Sequence, residues 1–334
     1  MQAIPPVQEL ARSNGLNTIV ETQNLTHRYG TLTAVNDISL TIEQGSIFGF
    51  IGPNGAGKST TMRILSTLLR PTAGDAWIGG CSVRKDPRGV RRQIGYMPDF
   101  FGVYNEMKVW EYLDFFAACY DIPAGQRRGL IDDLLQLVDL AHRRNDYVDG
   151  LSRGMKQRLC LARTLAHDPQ VLILDEPASG LDPRARIEIR ELLRELQAMG
   201  KTIFFSSHIL LEVAEICTAI GIIEAGNLVA CGPLDEIEAA IQKRTRTRRI
   251  EIALTARAQD AQDLLQALPS VTAVEVNQQG RRRSKLAVQF AGDDAAQTAI
   301  LTELIEAGFP VIGFQETRVE LEDVFMQVTK GIVS

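Results

Sequence analysis

No apolar run in this 334-residue chain approaches the roughly 18 residues that a membrane-spanning helix needs. The longest, Val171-Leu172-Ile173-Leu174 and Ala219-Ile220-Gly221-Ile222-Ile223, have the length of buried strands, so the chain is expected not to cross a bilayer by itself. Cysteine is sparse. Cys81, Cys119, Cys160, Cys217 and Cys231 show no CxxC spacing, which argues against metal or disulfide roles and suits small core hydrophobes in a reducing compartment. Positive charge is not in excess either: the net charge of −5 speaks against a nucleic-acid-coating surface, and no nucleic acid partner is expected. Residues 1–17 lack a basic-then-apolar segment and read as a disordered tail without an export signal. With 45% hydrophobic residues, the remaining length is enough for two domains, each with its own core.

Against these absences stands Gly52-Pro53-Asn54-Gly55-Ala56-Gly57-Lys58-Ser59, a complete phosphate-binding loop, fed by the apolar run Ile47-Phe48-Gly49-Phe50-Ile51. The glycines let backbone N–H groups wrap a polyphosphate, Lys58 reaches its β- and γ-phosphates, and the Ser59 hydroxyl is placed for Mg²⁺. A helix over residues 59–69, carrying Thr60 in its first turn, would aim its N-terminal dipole at the same anion. A loop of this kind fits kinases, GTPases and ATPases alike.

The rest of the chain alternates between strand and helix signals. Residues 18–46 carry short alternating runs broken by Gly30 and Gly45, which predict an antiparallel sheet ahead of the loop. Short strands with Gly-rich turns follow over residues 72–99, then helical periodicity at 110–119 and 129–140, an insertion spanning about 100–165. Asp182 and Pro183 make an N-cap and first-turn pair for a helix stopped by Gly200. A strand at 202–206, a helix at 209–217 and a hairpin turning at Gly226-Asn227 complete an α/β core spanning 18–240. Residues 241–249 are basic and read as a linker. Beyond it, 250–334 predict strand (250–254), helix (259–268), strands (271–276 and 286–290), helix (294–307) and strand (311–315), a βαββαβ ferredoxin-like unit closed by a helix from about Leu321.

Two carboxylates, Asp175 and Glu176, end the apolar strand Val171-Leu172-Ile173-Leu174, which places them at the carboxyl edge of a parallel sheet where ligands bind. Asp175 is a candidate Mg²⁺ ligand through water, and Glu176 a candidate to orient or deprotonate attacking water. Adjacent acids beside a polyphosphate repel it and each other, so a divalent cation is expected with them. Upstream, Leu151-Ser152-Arg153-Gly154-Met155-Lys156-Gln157 places Ser and Gly at a helix N-terminus, another anion-suited position.

Taken in order, Tyr29, the loop Gly52 to Ser59, Leu151 to Gln157, Leu174 to Asp182 and His208 resemble the nucleotide-binding subunits of ABC transporters, over about residues 18–235. The resemblance implies a P-loop NTPase core with antiparallel β and helical subdomains, ATP and Mg²⁺ as ligands, and ATPase activity. By its pattern Tyr29 stacks on adenine, His208 is the switch histidine touching the γ-phosphate, and Glu176 and Lys58 complete the catalytic set. Ser152, Arg153, Gly154, Met155 and Gln157 would cap the nucleotide held by a second copy, and Ser179-Gly180-Leu181-Asp182 would cross to that copy. A homodimer working with a separate integral-membrane permease for export, peripheral to the cytoplasmic face, is therefore expected. The tail after the linker resembles the extension of subunits that serve exporters with a separate membrane polypeptide, compatible with a dimer contact, a sensor or a stabilising appendage.

The chain departs from the pattern in two places. Asp99 stands after Ile94-Gly95-Tyr96-Met97-Pro98 where the family usually has Gln, and is read as a third candidate Mg²⁺ ligand that also adds negative charge. Arg153 and Met155 replace the commoner Gly and Gln of the signature. Residues 99–110, with Phe100, Phe101 and Tyr104, are expected to touch the permease or to be core of the helical insertion. The basic runs at 243–249 and Arg281-Arg282-Arg283 suit anionic lipid heads or solvated turns. The rival readings are a regulatory or assembly module that dimerises on ATP with little hydrolysis, and a soluble non-transport ABC ATPase. The latter's marks, a tandem second loop or a long heptad insertion, are missing.

Overall fold

A computed structural model describes residues 18–100, 102, 106–237, 247–278 and 284–317. The chain divides between Leu234 and Asp235 into two compact units.

The first unit is built on two sheets. The N-terminal one joins β1 (Thr18–Tyr29), β2 (Leu32–Glu43), β4 (Ala73–Ile78) and β5 (Cys81–Ser82) in the antiparallel order β2-β1-β4-β5. The alternating runs of residues 18–46 produce this sheet because one face is buried and the other is wet, and Val20, Leu25, Ile38, Leu40 and Ile42 supply the buried side. The second sheet has the order β10-β9-β3-β8-β7-β6, from β3 (Ile47–Ile51), β6 (Ile94–Met97), β7 (Val171–Leu174), β8 (Thr202–Ser207), β9 (Ala219–Glu224) and β10 (Asn227–Pro233). The five strands from β9 to β6 run parallel and β10 returns antiparallel on β9. Every residue of β3, β7 and β8 is buried, the continuous apolar reading expected where both sheet faces are covered. Phe204 sits between Phe48 and Phe50 at ring separations of 5.6 and 5.5 Å.

Helices α1 (Lys58–Leu65), α2 (Pro87–Gln93), α6 (Pro183–Ala198) and α7 (Leu210–Ile216) belong to this unit, and α3 (Val109–Cys119), α4 (Ala124–Leu137) and α5 (Arg153–Leu165) lie between β6 and β7. Tyr112 of α3 is fully buried and accepts a hydrogen bond from Arg163 of α5, whose guanidinium also covers the Phe116 ring. The helix expected to run to residue 69 stops at Leu65. Thr67 adopts φ 61°, and the N–H groups of Thr67 and Leu68 turn back to the carbonyls of Ile64 and Arg63, closing the helix as a left-handed cap. Short α2 lies in a stretch read as strands and turns only. Its signal was present, since Asp86-Pro87 repeats the cap pair of Asp182-Pro183, and Asp86 accepts from Gly89 N–H at 2.9 Å.

The second unit follows the expected βαββαβ order. It comprises β11 (Thr247–Leu254), α8 (Ala258–Gln266), β12 (Val271–Gln278), β13 (Ser284–Ala291), α9 (Asp294–Glu306) and β14 (Val311–Thr317). The strands pair antiparallel in the order β12-β13-β11-β14, the ferredoxin-like arrangement, over a core of Ile250, Ile252, Leu254, Leu286, Val288 and Phe290 with Leu265, Ile300 and Leu304 of the helices. Residues 247–249, expected in the linker, are instead the start of β11. Arg248 belongs in a strand because its charge is matched: it donates to both Glu316 oxygens at 2.8 and 2.7 Å and to Asp294 at 2.7 Å. The expected final helix and the run Arg281 to Arg283 fall outside the described residues.

Asp86→Ala should lower stability by about 1 kcal/mol, read as a shifted urea midpoint, and Asp86→Asn, which keeps the cap acceptor, should recover most of it.

Candidate functional site

Four parallel strands deliver their carboxyl ends to one edge of the second sheet. β3 continues into Gly52, β6 into Asp99, β7 into Asp175 and Glu176, and β8 into His208. The register pairs Ile51 with Ser207, Leu174 with Phe205 and Met97 with Leu174, so these junctions lie side by side. At this edge is a cleft of about 560 Å³ lined by Tyr29, Leu32, Ala34, Asn54, Gly55, Ala56, Gly57, Lys58, Ser59, Thr60, Asp99, Glu176, Ser179 and His208.

The loop is fixed by its own backbone and by close neighbours. Ala56 N–H donates to Pro53 O, and both the N–H and the hydroxyl of Thr61 donate to Gly57 O at 2.9 and 3.0 Å. Gly57 has φ 109°, and a Cβ there would sit 2.4 Å from Ala34 O, so only glycine fits. Gly52 is hemmed in likewise, its would-be Cβ 2.3 Å from Ile223 O. Lys58 opens α1 with its side chain folded over the loop, Nζ donating to Gly52 O at 2.7 Å and to Pro53 O at 3.2 Å.

Charge is concentrated here. The Lys58 ammonium lies 3.7 Å from Glu176 Oε1, while Glu176 Oε2 is 3.0 Å from His208 Nδ1. Burial lowers the Lys58 pKa, with the Glu176 and Asp175 carboxylates acting in the opposite direction. Asp175 is almost wholly buried; its N–H donates to Met97 O at 2.8 Å and its Oδ1 accepts from Ser206 Oγ at 2.7 Å. Asp99 has its carboxyl pKa raised, first by burial and then by the negative charges of Glu176 and Asp175, against the pull of Arg153 and His208. Tyr29 stays half exposed at the end of β1, its ring meeting the edge of His27 at 4.6 Å.

The signature residues are not in this cleft. Ser152 caps α5, its hydroxyl accepting from Met155 N–H at 3.3 Å. With Arg153, Gly154, Met155, Gly180, Leu181 and Asp182 it lines a separate depression of about 200 Å³. Only Ser179 of the Ser179 to Asp182 loop lines the larger cleft, and Arg153 ties the two features by donating to Ser179 O at 3.2 Å. Gln157 is turned inward, buried, and donates to Pro177 O. Leu32 and Ala34 also face the cleft, from β2, and Ser206 bonds Asp175 behind it; nothing marks them in the sequence except their places beside Tyr29 and two positions before His208. Phe100 is 88% exposed, which rules it out as core; Phe101 and Tyr104 lie outside the described residues.

The family profile described as ABC transporter matches residues 35–179, and the profile described as ATP-binding protein DrrA1-3-like, C-terminal domain, matches residues 232–329. The bacitracin transport ATP-binding protein BcrA of Bacillus licheniformis is 35% identical over 321 residues, 95% of this chain and 99% of that protein. The chain belongs to the ABC transporter ATP-binding protein family. It is an ATPase of the P-loop type. The daunorubicin resistance ATP-binding protein DrrA3 of Streptomyces coeruleorubidus is 33% identical over 94% of this chain and 96% of its own length. A solved ATP-binding subunit of an ABC transporter superposes with a TM-score of 0.62 at 31% identity, covering 68% of this chain and 95% of that one.

The raised Asp99 pKa has a defined consequence in the protein free of nucleotide and metal. The folded chain holds this proton to higher pH than the unfolded chain, so ionising Asp99 costs stability as pH climbs from the ordinary aspartate range through the raised value. Asp99→Asn should therefore raise the melting temperature at neutral pH, and the gain should shrink as pH falls toward the ordinary aspartate range.

Proposed function

We propose that the chain is the ATP-hydrolysing subunit of an exporter, that two copies close on ATP, and that the closing motion drives a separate membrane permease from the cytoplasmic face. The observation that carries the chemical part is the Glu176 carboxylate, held between Lys58 and His208 inside the cleft that the phosphate loop forms. In this reading residues 18–240 are the ATP-binding domain and 250–334 an accessory domain.

Each step follows from groups on the chain. Backbone N–H groups from Asn54 to Thr60 surround the β- and γ-phosphates, and Lys58 exchanges its carbonyl partners Gly52 and Pro53 for phosphate oxygens. Tyr29, half exposed beside the cleft, stacks on adenine. Glu176 orients the attacking water or takes its proton, and His208 steadies that carboxylate through Nδ1 while reaching the γ-phosphate. The donor set fits Mg²⁺ by its chemistry: Ser59, Asp175 and Asp99 offer hard oxygens, and the Asp99 carboxyl, its pKa raised first by burial and then by the charges of Glu176 and Asp175, would be relieved by a cation. Ser59, Asp175 and Asp99 would hold the ion, which would supply positive charge to offset that of the phosphates.

Dimerisation is supported by geometry within one copy. Ser152 and Gly154 line a depression apart from the cleft, so a γ-phosphate held by Lys58 takes its cap from a second chain. The export reading draws on relatives named for bacitracin transport, daunorubicin resistance and Nod factor export. Among the described residues no helix is long and apolar enough to cross a membrane, and the proposal assigns the translocation path to the permease.

Phosphate release by the wild type and by Glu176→Gln tests the chemistry. A fall of about 10²–10³-fold with ATP binding retained is expected; equal rates would remove Glu176 from the mechanism. Co-purification of an integral-membrane protein with the chain from detergent-solubilised membranes tests the partner.

A further inference from the structure

Ser206 lies in β8, between β3 and β7, with no solvent exposure. Its hydroxyl uses both of its capacities on the acid pair. The proton goes to Asp175 Oδ1 at 2.7 Å, and a lone pair accepts the Glu176 N–H at 2.9 Å. Glu176 needs such a hold. It occupies the left-handed backbone region at φ 51°, a conformation that costs a non-glycine residue energy and persists only where its surroundings enforce it.

That backbone turn has a purpose visible in the distances. Asp175 continues the strand, its N–H donating to Met97 O and its side chain directed at Ser206, while the turn at Glu176 puts the next carboxylate 3.7 Å from Lys58 and 3.0 Å from His208. A single hydroxyl thus bonds both members of the acid pair. It also leaves one Asp175 oxygen, Oδ2, without this bond.

We infer that Ser206 is a positioning residue for ATP hydrolysis, holding Asp175 and Glu176 in register with the phosphate loop through one donated and one accepted hydrogen bond. The inference rests on the proposed roles of Asp175 and Glu176. An alanine at 206 would leave a buried carboxylate oxygen and a backbone N–H without their partner, and the Glu176 turn could then relax away from Lys58. Threonine keeps the hydroxyl and suits a strand.

The test compares full-length Ser206→Ala, Ser206→Thr and Glu176→Gln, measuring kcat, KM for ATP, binding of a fluorescent ATP analogue without turnover, Mn²⁺ affinity in the presence of ATP by electron paramagnetic resonance, and melting temperature. Ser206→Ala is expected to lower kcat by about 10- to 100-fold, the scale of a lost charge-assisted hydrogen bond. The analogue should bind as in the wild type, Mn²⁺ should bind more weakly, and Ser206→Thr should recover most of the turnover. In Ser206→Ala/Glu176→Gln the serine change should cost less turnover than it does in the wild type, because one of the two residues it positions is already disabled, while the loss of Mn²⁺ affinity, which acts through Asp175, should persist. Wild-type kcat and Mn²⁺ affinity in Ser206→Ala would overturn the inference. So would equal losses in the Ala and Thr variants with matching drops in melting temperature, or failure of Ser206→Ala to fold, either of which makes the residue structural only. Full turnover in Glu176→Gln would instead sink the underlying site reading, so the two failures are distinguishable.

Discussion

A lysine ammonium and several carboxylates share one partly desolvated sheet edge, and the architecture around them is what makes that tolerable. Lys58 is nearly buried, its ammonium satisfied by two loop carbonyls and placed within reach of Glu176. Taking charges out of water costs several kcal/mol per ion unless partners replace the lost hydration. Here the partners come from four separate strand ends, so the parallel sheet, its continuous apolar strands and its register are preconditions for the charge cluster. The cluster sets Asp99, Asp175 and Glu176 against Lys58 and His208, with the Asp99 pKa raised first by burial and then by the neighbouring carboxylates, and that balance suits a site completed by a cation together with a polyphosphate.

The same edge bears on the proposal that a second chain completes the site. The phosphate loop and the acid pair face one cleft, whereas the cap of α5 opens onto another depression beside the start of α6. Arg153, an unusual residue at its signature position, bonds the carbonyl of Ser179 and its positive charge also bears on Asp99. Two of the positions read as departures from the family's pattern, Asp99 and Arg153, are therefore electrically connected. A carboxylate at 99 is less foreign when a guanidinium stands at 153.

Much of this was legible in the residues, for physical reasons. The loop, the acid pair and the serine cap of α5 combine side chains with a local backbone geometry, and local geometry is what short motifs encode. The alternating runs gave the antiparallel sheet, and the order of strand and helix signals gave the ferredoxin-like unit. Long-range pairings were not legible. Ser206 reads as one more strand residue until β8 is set against β7, and Arg248 reads as linker until Glu316 of β14 lies beside it. The premature end of α1 turned on Thr67 entering the left-handed region, which a threonine does not advertise.

The central claim is that each chain contributes half of two sites. Mixing chains carrying Lys58→Ala with chains carrying Gly154→Asp, each inactive alone, tests it directly. In a mixed pair one site keeps an intact Lys58 from one chain and an intact Gly154 from the other, so the mixture should regain ATPase activity that neither variant has by itself. A mixture as inactive as its components would contradict the composite site.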